Sequence, residues 1–147
     1  MSKGSGLMTN HPQGRSLDAW LNMMATGHLD TLESIVASDA VFHSPVGLKP
    51  YKGRAVVCLV LRTAAAVFND FEYHQKVSDG RYALLFFKAR VGSEALRGLH
   101  VIRFNDAGEI EDVEKMVRPA RSAVLLGEAI GERSGKAIKA LREADSE

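Results

Sequence analysis

His100 is the residue of this sequence whose type and spacing best suit chemistry. The alternate positions of the segment around it form one apolar set, Leu96, Gly98, Ile102 and Phe104. The two-residue period of a strand therefore puts His100 on the buried face. An imidazole in a partly dry cavity titrates near neutral pH, as a general acid or base requires. The alternative is a core histidine satisfied by a backbone carbonyl or a water molecule.

Lys115 has a similar position, because it alternates with Val113 and Val117 on a segment whose other face is charged. If the side chain points inward, burial lowers its pKa and suits the amine to carbonyl or anion chemistry. The alternative is that its methylene stem packs on the two valines while the ammonium reaches water or pairs with an acid.

Trp20 and Ser44 are the other candidates for a site. Trp20 is either a large core residue whose indole N–H finds one acceptor, or a cavity wall that orients a flat ligand. Ser44 precedes Pro45, a pair that often ends a strand, although together with His43 it has the position of a site corner. No Ser/His/Asp constellation is visible, so we do not expect a nucleophilic serine.

Motifs for common cofactors are missing from the sequence. The glycines occur singly at turns and the five histidines are scattered, so there is no phosphate loop, zinc-ligand cluster, nucleophile elbow or EF-hand loop. Cys58 lies among Val57, Leu59 and Val60, where a thiol is expected to be inert packing. We therefore expect no cofactor and no metal.

Length and composition indicate one folded domain. The chain has 147 residues, 46% hydrophobic and 25% charged, with a formal net charge of +1. That balance disfavours a nucleic-acid partner. No segment reaches about 18 uninterrupted apolar residues, so we expect no membrane span. The only cysteine cannot form an internal disulfide, and a cytoplasmic location is the prediction.

The first part of the chain has helical periodicity. Leu17, Trp20, Leu21 and Met24 share one face of a predicted helix that Ser16 caps and Gly27 ends. A short helix from Asp30, a strand over 40–43 and an inner helix over 54–68 are predicted to follow.

A period of two then predicts four strands in succession. They cover 71–77, 82–91, 95–104 and 109–118, and short turns separate them. Helices followed by an antiparallel meander predict the α+β class, a curved sheet covered by N-terminal helices. We expect a flexible leader over 1–15, one domain over 16–131, and a charged, mobile segment over 132–147.

Three segments together resemble a known superfamily. They are 20–30 (WLNMMATGHLD), 39–47 (DAVFHSPVG) and 99–108 (LHVIRFNDAG). The set is similar to the nuclear transport factor 2-like superfamily, within the branch of ketosteroid isomerases and SnoaL-like polyketide cyclases. The strand exit Val117-Arg118-Pro119 resembles bacterial members without an assigned function. The resemblance implies a cystatin-like conical barrel with an apolar pocket, usually assembled as a homodimer through the outer face of the sheet.

The resemblance also implies positions for the isomerase residues, and this sequence differs at each. The family's tyrosine falls on Trp20, its aspartate base on Ser44 and its protonated aspartic acid on His100. In ketosteroid isomerases an apolar site keeps that acid neutral. A tyrosine that braces the phenol falls on Leu61. Steroid isomerisation by that mechanism is therefore not expected.

Our hypothesis is a protein that binds a small, largely apolar molecule, polyketide-like or steroid-like, in the cone. His100 is the general acid or base if there is turnover, and the predicted ligand-binding residues are Trp20, Ser44, Leu61, Phe104 and Lys115. Isomerase, cyclase or dehydratase chemistry fits a single positioned base in a dry cavity. The rival hypothesis is a non-catalytic binding or dimerisation module, which predicts a cone plugged by Phe68, Phe86, Phe87 and Phe104.

Overall fold

A computed structural model describes residues 12–146 of the chain. It contains three α-helices, six strands and one 3₁₀ turn. In chain order these are α1 (Pro12–Thr26), the 3₁₀ turn (Leu32–Ser34), β1 (Val36–His43), β2 (Tyr51–Lys52), α2 (Arg54–Val67), β3 (Asn69–Asp79), β4 (Tyr82–Val91), β5 (Glu94–Phe104), β6 (Ile110–Arg118) and α3 (Ala120–Ser146). The α+β class predicted from the sequence is confirmed.

The six strands form one unclosed sheet in the order β2-β1-β6-β5-β4-β3. The meander from β3 to β6 is antiparallel, whereas β1 pairs with β6 in parallel. Irregularities in register occur within the β1–β6 and β3–β4 pairings. Such bulges bend strands and increase their twist. They give the curvature that lets the helices cover the inner face.

The inner face of the sheet carries the core. On β4, the strand with the most regular pattern, Ala83, Leu85, Phe87, Ala89 and Val91 are buried and alternate with more exposed residues. Against this face lies α2, which buries eight of its residues, as its nearly continuous apolar sequence predicts. None of the helices described within residues 12–146 is both long and apolar enough to cross a lipid bilayer.

The first helix begins earlier than the sequence pattern indicated. It starts at Pro12, and Ser16 lies inside the helix with 8% exposure instead of capping it. Proline suits the first turn because that turn leaves its N–H groups unpaired in any case. Gly27 ends the helix as predicted, with φ of 77° and its N–H donating to the Met23 carbonyl at 2.8 Å. Of the leader expected over 1–15, residues 12–15 are helical and 1–11 lie outside the described residues.

The segment after α1 differs from its prediction. The short helix expected from Asp30 is only the 3₁₀ turn, and β1 begins at Val36 instead of Ala40. β1 pairs with β2 and also with β6, which follows it by about seventy positions in the sequence, so local propensity does not reveal the β6 pairing. The two-residue strand β2 was not predicted at all.

The C-terminal helix runs on through the segment that we expected to be separate and mobile. As far as Ser146, residues 132–146 continue α3, and Ile138 packs in the core with 7% exposure. Arg142 donates from Nη2 to the carbonyls of Lys49 and Pro50 at 2.9 and 3.1 Å. The second half of α3 therefore contacts the loop between β1 and β2.

Candidate functional site

His100 lies in the middle of β5 with its ring on the inner face of the sheet. It is 1% exposed, in register with Leu85 of β4 on one side and Lys115 of β6 on the other. The alternation of β5 therefore places the ring where the sequence indicated, inside the fold and out of contact with bulk water.

A chain of two hydrogen bonds reaches His100 from distant elements. Trp20 of α1 donates from Nε1 to the Tyr73 hydroxyl at 2.8 Å, and that hydroxyl lies 2.7 Å from Nδ1 of His100. Because Tyr73 accepts from Trp20, its own hydrogen is available for Nδ1. If Nδ1 were the donor, the Tyr73 hydrogen and the Nε2 lone pair would both be left without partners. We therefore assign the proton of the neutral ring to Nε2.

Nε2 of His100 is buried and has no hydrogen-bond partner among residues 12–146. Aromatic rings surround it instead. Phe87 lies 4.7 Å from His100 between ring centroids, and Trp20 meets His100 edge-on at 5.6 Å. An unpaired buried donor in an apolar surrounding costs free energy, on the order of 1–3 kcal/mol. Such a group is a candidate for contact with a ligand.

Gly98 makes room for the ring that packs on His100. A Cβ atom at this position would lie 2.2 Å from Cζ of Phe87. The two residues are cross-strand partners in the β4–β5 pairing. The absence of a side chain at Gly98 thus lets Phe87 lie flat against β5.

Burial also controls the protonation of the Tyr73–His100 pair. It lowers the pKa of His100 well below its ordinary value of 6.5, and the neighbouring charge of Lys115 lowers the pKa further. Burial raises the pKa of the Tyr73 hydroxyl. At neutral pH both groups are therefore uncharged, and His100 presents Nε2–H as a hydrogen-bond donor.

Lys115 is as buried as His100 but is held differently. Its side chain is 2% exposed, and Nζ lies 5.1 Å from the ring centroid of Phe68 and 5.6 Å from that of Phe42. Within the described part of the chain no carboxylate comes within ion-pair distance of Nζ. Burial lowers the pKa of the ammonium to about 7. The alternative in which the ammonium pairs with an acid is therefore not what the structure shows for the described residues.

A cavity of about 70 Å³, called here the Lys115 cavity, opens beside this lysine. It has room for about two water molecules. Its lining consists mainly of apolar side chains from β1, α2, α3 and the loop after β1: Phe42, Ser44, Pro45, Val46, Tyr51, Val60, Lys115, Leu126, Gly127 and Ile130. Of the residues that the sequence proposed for a site, this cavity brings together only Ser44 and Lys115.

The remaining predicted site residues lie elsewhere in the interior. Trp20 and His100 belong to the hydrogen-bond chain through Tyr73. Leu61 and Phe104, which are 4% and 0% exposed, pack in the main core and do not line the Lys115 cavity. The predicted set is thus divided between a polar chain, a small cavity and the core.

Three of the four phenylalanines that could plug the cone do fill its interior. Phe68, Phe87 and Phe104 are 8%, 0% and 0% exposed. Phe86 instead points to the outer face of the sheet, where it lines a groove of about 350 Å³. Apolar side chains in the same groove include Leu99, Met116 and Val117.

Tyr73 is the functional candidate that the sequence analysis missed. The alternation of β3 placed it with Phe71 on the buried face, and that was the available signal. The pattern does not show that its hydroxyl would meet Trp20 and His100. Cys58 behaves as predicted, because it is fully buried and burial raises the pKa of its thiol to about 11.

Acidic side chains stay out of the interior. No Asp or Glu whose side chain is described is buried. Within residues 12–146 no group of three His, Cys, Asp or Glu side chains is arranged to hold a metal ion. The buried basic side chains of the described residues are therefore His100 and Lys115.

Comparison with known proteins identifies the family. The family model of the SnoaL-like domain matches residues 17–113, well over half of the chain. The chain belongs to the SnoaL-like family. This family lies within the nuclear transport factor 2-like superfamily, so the resemblance in the sequence is confirmed.

Solved structures similar to this SnoaL-like protein include both assigned and unassigned members. A steroid delta-isomerase from Pseudomonas aeruginosa is 41% identical, with a TM-score of 0.82 over 87% of this chain and 95% of that one. An uncharacterised protein with a cystatin-like fold from Silicibacter pomeroyi is 26% identical, with a TM-score of 0.81 over 88% and 92%. A nuclear transport factor 2-like protein of unknown function from Mesorhizobium loti is 15% identical, with a TM-score of 0.66 over 74% and 92%. No functionally curated protein matches this sequence.

The SnoaL-like fold here supports one kind of chemistry better than others. Its interior offers a neutral donor at His100 and an amine at Lys115, directly opposite in the β5–β6 register. A carboxylate base is absent from the described interior. The arrangement is therefore suited to donating a hydrogen bond to an oxygen atom of an apolar ligand.

Proposed function

We propose that this protein binds a small, largely apolar molecule in the interior of the cone, and that Nε2–H of His100 donates a hydrogen bond to an oxygen atom of that molecule. The observation that carries the proposal is the buried Nε2 without a partner among residues 12–146. A ligand oxygen that accepts this hydrogen bond removes the cost of leaving the donor unpaired.

The hydrogen-bond chain supports a donor role in catalysis. Tyr73 keeps Nδ1 occupied, so the ring presents a fixed donor to a developing oxyanion. A proton transfer of the isomerase, cyclase or dehydratase type needs such a donor and a dry cavity. The sequence analysis expected His100 to be a general acid or a general base. This proposal keeps only the role of acid, that is, of hydrogen-bond donor.

Double-bond migration in a steroid is not part of the proposal. The steroid delta-isomerase relative is 41% identical, which makes steroid-like ligands reasonable probes. However, Ser44 stands where the resemblance places the aspartate base, and a serine hydroxyl is a very weak base at neutral pH. We expect the protein to bind a steroid enone without moving its double bond.

Nuclear magnetic resonance of ¹⁵N-labelled histidine tests the proposal directly. The probes are cyclohexenone and a steroid enone, and the matched variants are His100→Phe, which keeps a ring, and His74→Phe on the exposed side of β3. We expect an enone to shift the Nε2 signal of His100 in the wild type. His100→Phe should weaken binding about tenfold, the equivalent of one good hydrogen bond. His74→Phe should bind normally.

Two outcomes contradict the proposed donor role. One is equal binding of the enone to the wild type and His100→Phe. The other is a shift confined to the His74 signal, which would put the ligand on the outer face.

A non-catalytic module of the same fold is the second candidate function. The observation that favours it is the filled interior, where Phe68, Phe87 and Phe104 occupy the space that a ligand needs. This candidate predicts that neither enone binds at concentrations that saturate ordinary small-molecule sites. The same titration therefore distinguishes the two functions.

We also propose that the protein forms a homodimer through the outer face of the sheet. Met116, which is 47% exposed, lies there in the apolar groove with Phe86 and Leu99. Exposed apolar patches of this kind are typical of interfaces. Met116→Lys should shift the sedimentation coefficient to that of a monomer. Val124→Lys, at a 52% exposed position on α3, should leave the dimer intact. A monomeric wild type would contradict the proposal.

A further inference from the structure

Lys115 has a surrounding that does not stabilise a permanent positive charge. An ammonium group has three N–H donors and no acceptor site. The structure gives its Nζ two ring faces, those of Phe42 and Phe68, and no carboxylate from the described residues. Ring faces attract a buried cation only weakly. Removing an ion from water costs more than these ring contacts return, so burial dominates.

The consequence is an amine that is substantially unprotonated near neutral pH. Burial lowers its pKa to about 7, whereas lysines in water titrate at about 10.4. Among the described residues, the titratable groups facing it are His100 across the sheet and Tyr51 in the cavity lining, and no carboxylate is among them. A neutral lysine amine has a free lone pair and is a nucleophile toward carbonyl carbon.

The Lys115 cavity gives this amine space for a reaction partner and defines its class. The cavity holds about 70 Å³, enough for a carbonyl group with one or two carbon atoms, and the loop at 44–46 forms part of its lining. Apart from Lys115, the lining contains no charged side chain. A carboxylate or phosphate on the ligand would have no second cation to pair with, so a neutral, apolar carbonyl compound fits best.

We propose that Lys115 forms an imine with a small neutral aliphatic aldehyde that enters the Lys115 cavity. This inference rests on the proposed function, because it names a ligand class for the same interior face. The Lys115 site does not require the hydrogen bond from His100, so the two proposals fail separately.

The reaction balances without an oxidant or a reductant. The Nζ lone pair forms a bond to the carbonyl carbon as the carbonyl π bond breaks, and one amine proton passes to the oxygen to give a carbinolamine. The carbon–oxygen bond then breaks, and the second amine proton and the hydroxyl leave as one water molecule. Ser44 lines the same cavity with a hydroxyl able to hydrogen-bond to the carbinolamine oxygen.

Reductive trapping on the intact protein tests the proposal. Acetaldehyde and sodium cyanoborohydride are added near neutral pH, and the ethylated lysines are quantified peptide by peptide with mass spectrometry. We expect Lys115 to be modified at least about tenfold faster than Lys88, because burial lowers the pKa of Lys115 to about 7 and leaves much of its amine unprotonated near neutral pH. Lys88 is a suitable reference because its side chain is 51% exposed.

Variants and a second aldehyde complete the experiment. The rapid modification expected at Lys115 gives the alkylation of the whole protein a fast phase. Lys115→Met should abolish this fast phase, whereas Lys88→Met should keep it. Glyoxylate, whose carboxylate has no partner in the cavity, should modify Lys115 more slowly than acetaldehyde does. Trapping at Lys115 no faster than at Lys88 would overturn the proposal, and so would faster trapping by glyoxylate. In His100→Phe the fast phase should persist, so loss of enone binding there leaves the imine proposal standing.

Discussion

His100 and Lys115 lie opposite each other on β5 and β6, yet their surroundings differ in kind. His100 is 1% exposed and receives a hydrogen bond from Tyr73, which is itself bonded to Trp20. Lys115 is 2% exposed, its Nζ lies over the rings of Phe42 and Phe68, and none of the described carboxylates pairs with it. Two side chains that are about equally buried therefore differ. His100 on β5 is a hydrogen-bond donor held in one orientation, whereas Lys115 on β6 is an amine without a carboxylate partner among the described residues.

The comparison shows that burial alone does not define what a polar side chain does. Burial lowers the pKa of both groups. Hydrogen bonds to the ring nitrogen of His100 select one tautomer and one orientation, which suits hydrogen-bond donation. The lysine amine has no such restraint, so its chemistry depends on its lone pair and on the cavity beside it.

The largest expected effect comes from Lys115→Met, which removes the unpaired amine and keeps an apolar stem. We expect the free energy of unfolding near pH 7 to rise by about 1–4 kcal/mol, since replacing a buried charged group with an apolar one often stabilises. Urea denaturation at a fixed protein concentration measures this change. A variant less stable than the wild type would show that the amine has a stabilising partner.

The pH dependence of the same pair of proteins sharpens this test. In the unfolded chain Lys115 binds its proton below about pH 10.4, whereas in the folded protein burial lowers the pKa to about 7. Between these values the unfolded state binds more protons, so wild-type stability falls as the pH decreases toward 7. The advantage of Lys115→Met should therefore shrink as the pH rises from 7 toward 10. A difference in the free energy of unfolding between Lys115→Met and the wild type that does not change with pH would contradict the lowered pKa of Lys115.

Gly98→Ala should disturb the packing of Phe87 against His100. The new methyl carbon would lie 2.2 Å from Cζ of Phe87, a ring that is 0% exposed and packs on His100. We expect a loss of about 1–3 kcal/mol from overpacking, measured by urea denaturation. Gly131→Ala is the control, because nothing lies within 4 Å of its Cβ position and alanine favours a helix. A neutral Gly98→Ala would show that Phe87 moves freely.

Tyr73→Phe should have a smaller effect on stability and a specific effect on the imidazole. Losing the hydroxyl leaves the Trp20 N–H and Nδ1 of His100 without this partner, a cost of about 1–2 kcal/mol. The ¹⁵N signals of His100 should change from a fixed Nε2–H form to a mixture of tautomers. Tyr51→Phe is the control, with an expected change below about 0.5 kcal/mol. An unchanged tautomer in Tyr73→Phe would rule out the assigned role.

The smallest effect is expected on the outer face of the sheet. Lys88→Met removes a cation whose Nζ lies 3.7 Å from a Glu72 carboxylate oxygen, with both side chains more than half exposed. Exposed ion pairs of this kind contribute about 0–1 kcal/mol. Thermal denaturation should show almost no change. A loss as large as that in Gly98→Ala would mean that this face is covered, as in a dimer.

Much of the fold followed from periodicity in the sequence. The change from a helical repeat to a two-residue repeat after 69 predicted the order of helices and meander, and Gly27 ends α1 as expected. The differences are at the start of α1, the 3₁₀ turn, β1, β2 and the second half of α3. There, pairing with distant strands or packing against the sheet decides the structure, and local propensity is a weak guide.

The sequence predicted on which face individual site residues lie, but not which of them contact one another. Alternation placed His100 and Lys115 on the inner face, and the structure puts them there. It did not reveal Tyr73 as the partner of His100, because the two residues are on β3 and β5 with β4 between them. Nor did it reveal the separation of Ser44 and Lys115 from Trp20.

The amino-acid sequence by itself determined which faces of the strands and helices are apolar, because that property depends on residues two to four positions apart. Tertiary structure alone decided that, among the described residues, His100 has a hydrogen-bond partner and Lys115 has no carboxylate partner. It also decided that Phe68, Phe87 and Phe104 are buried inside the cone. These features depend on how side chains from α1, β3, β5 and β6 converge, and that convergence is set by non-local packing in a dense interior.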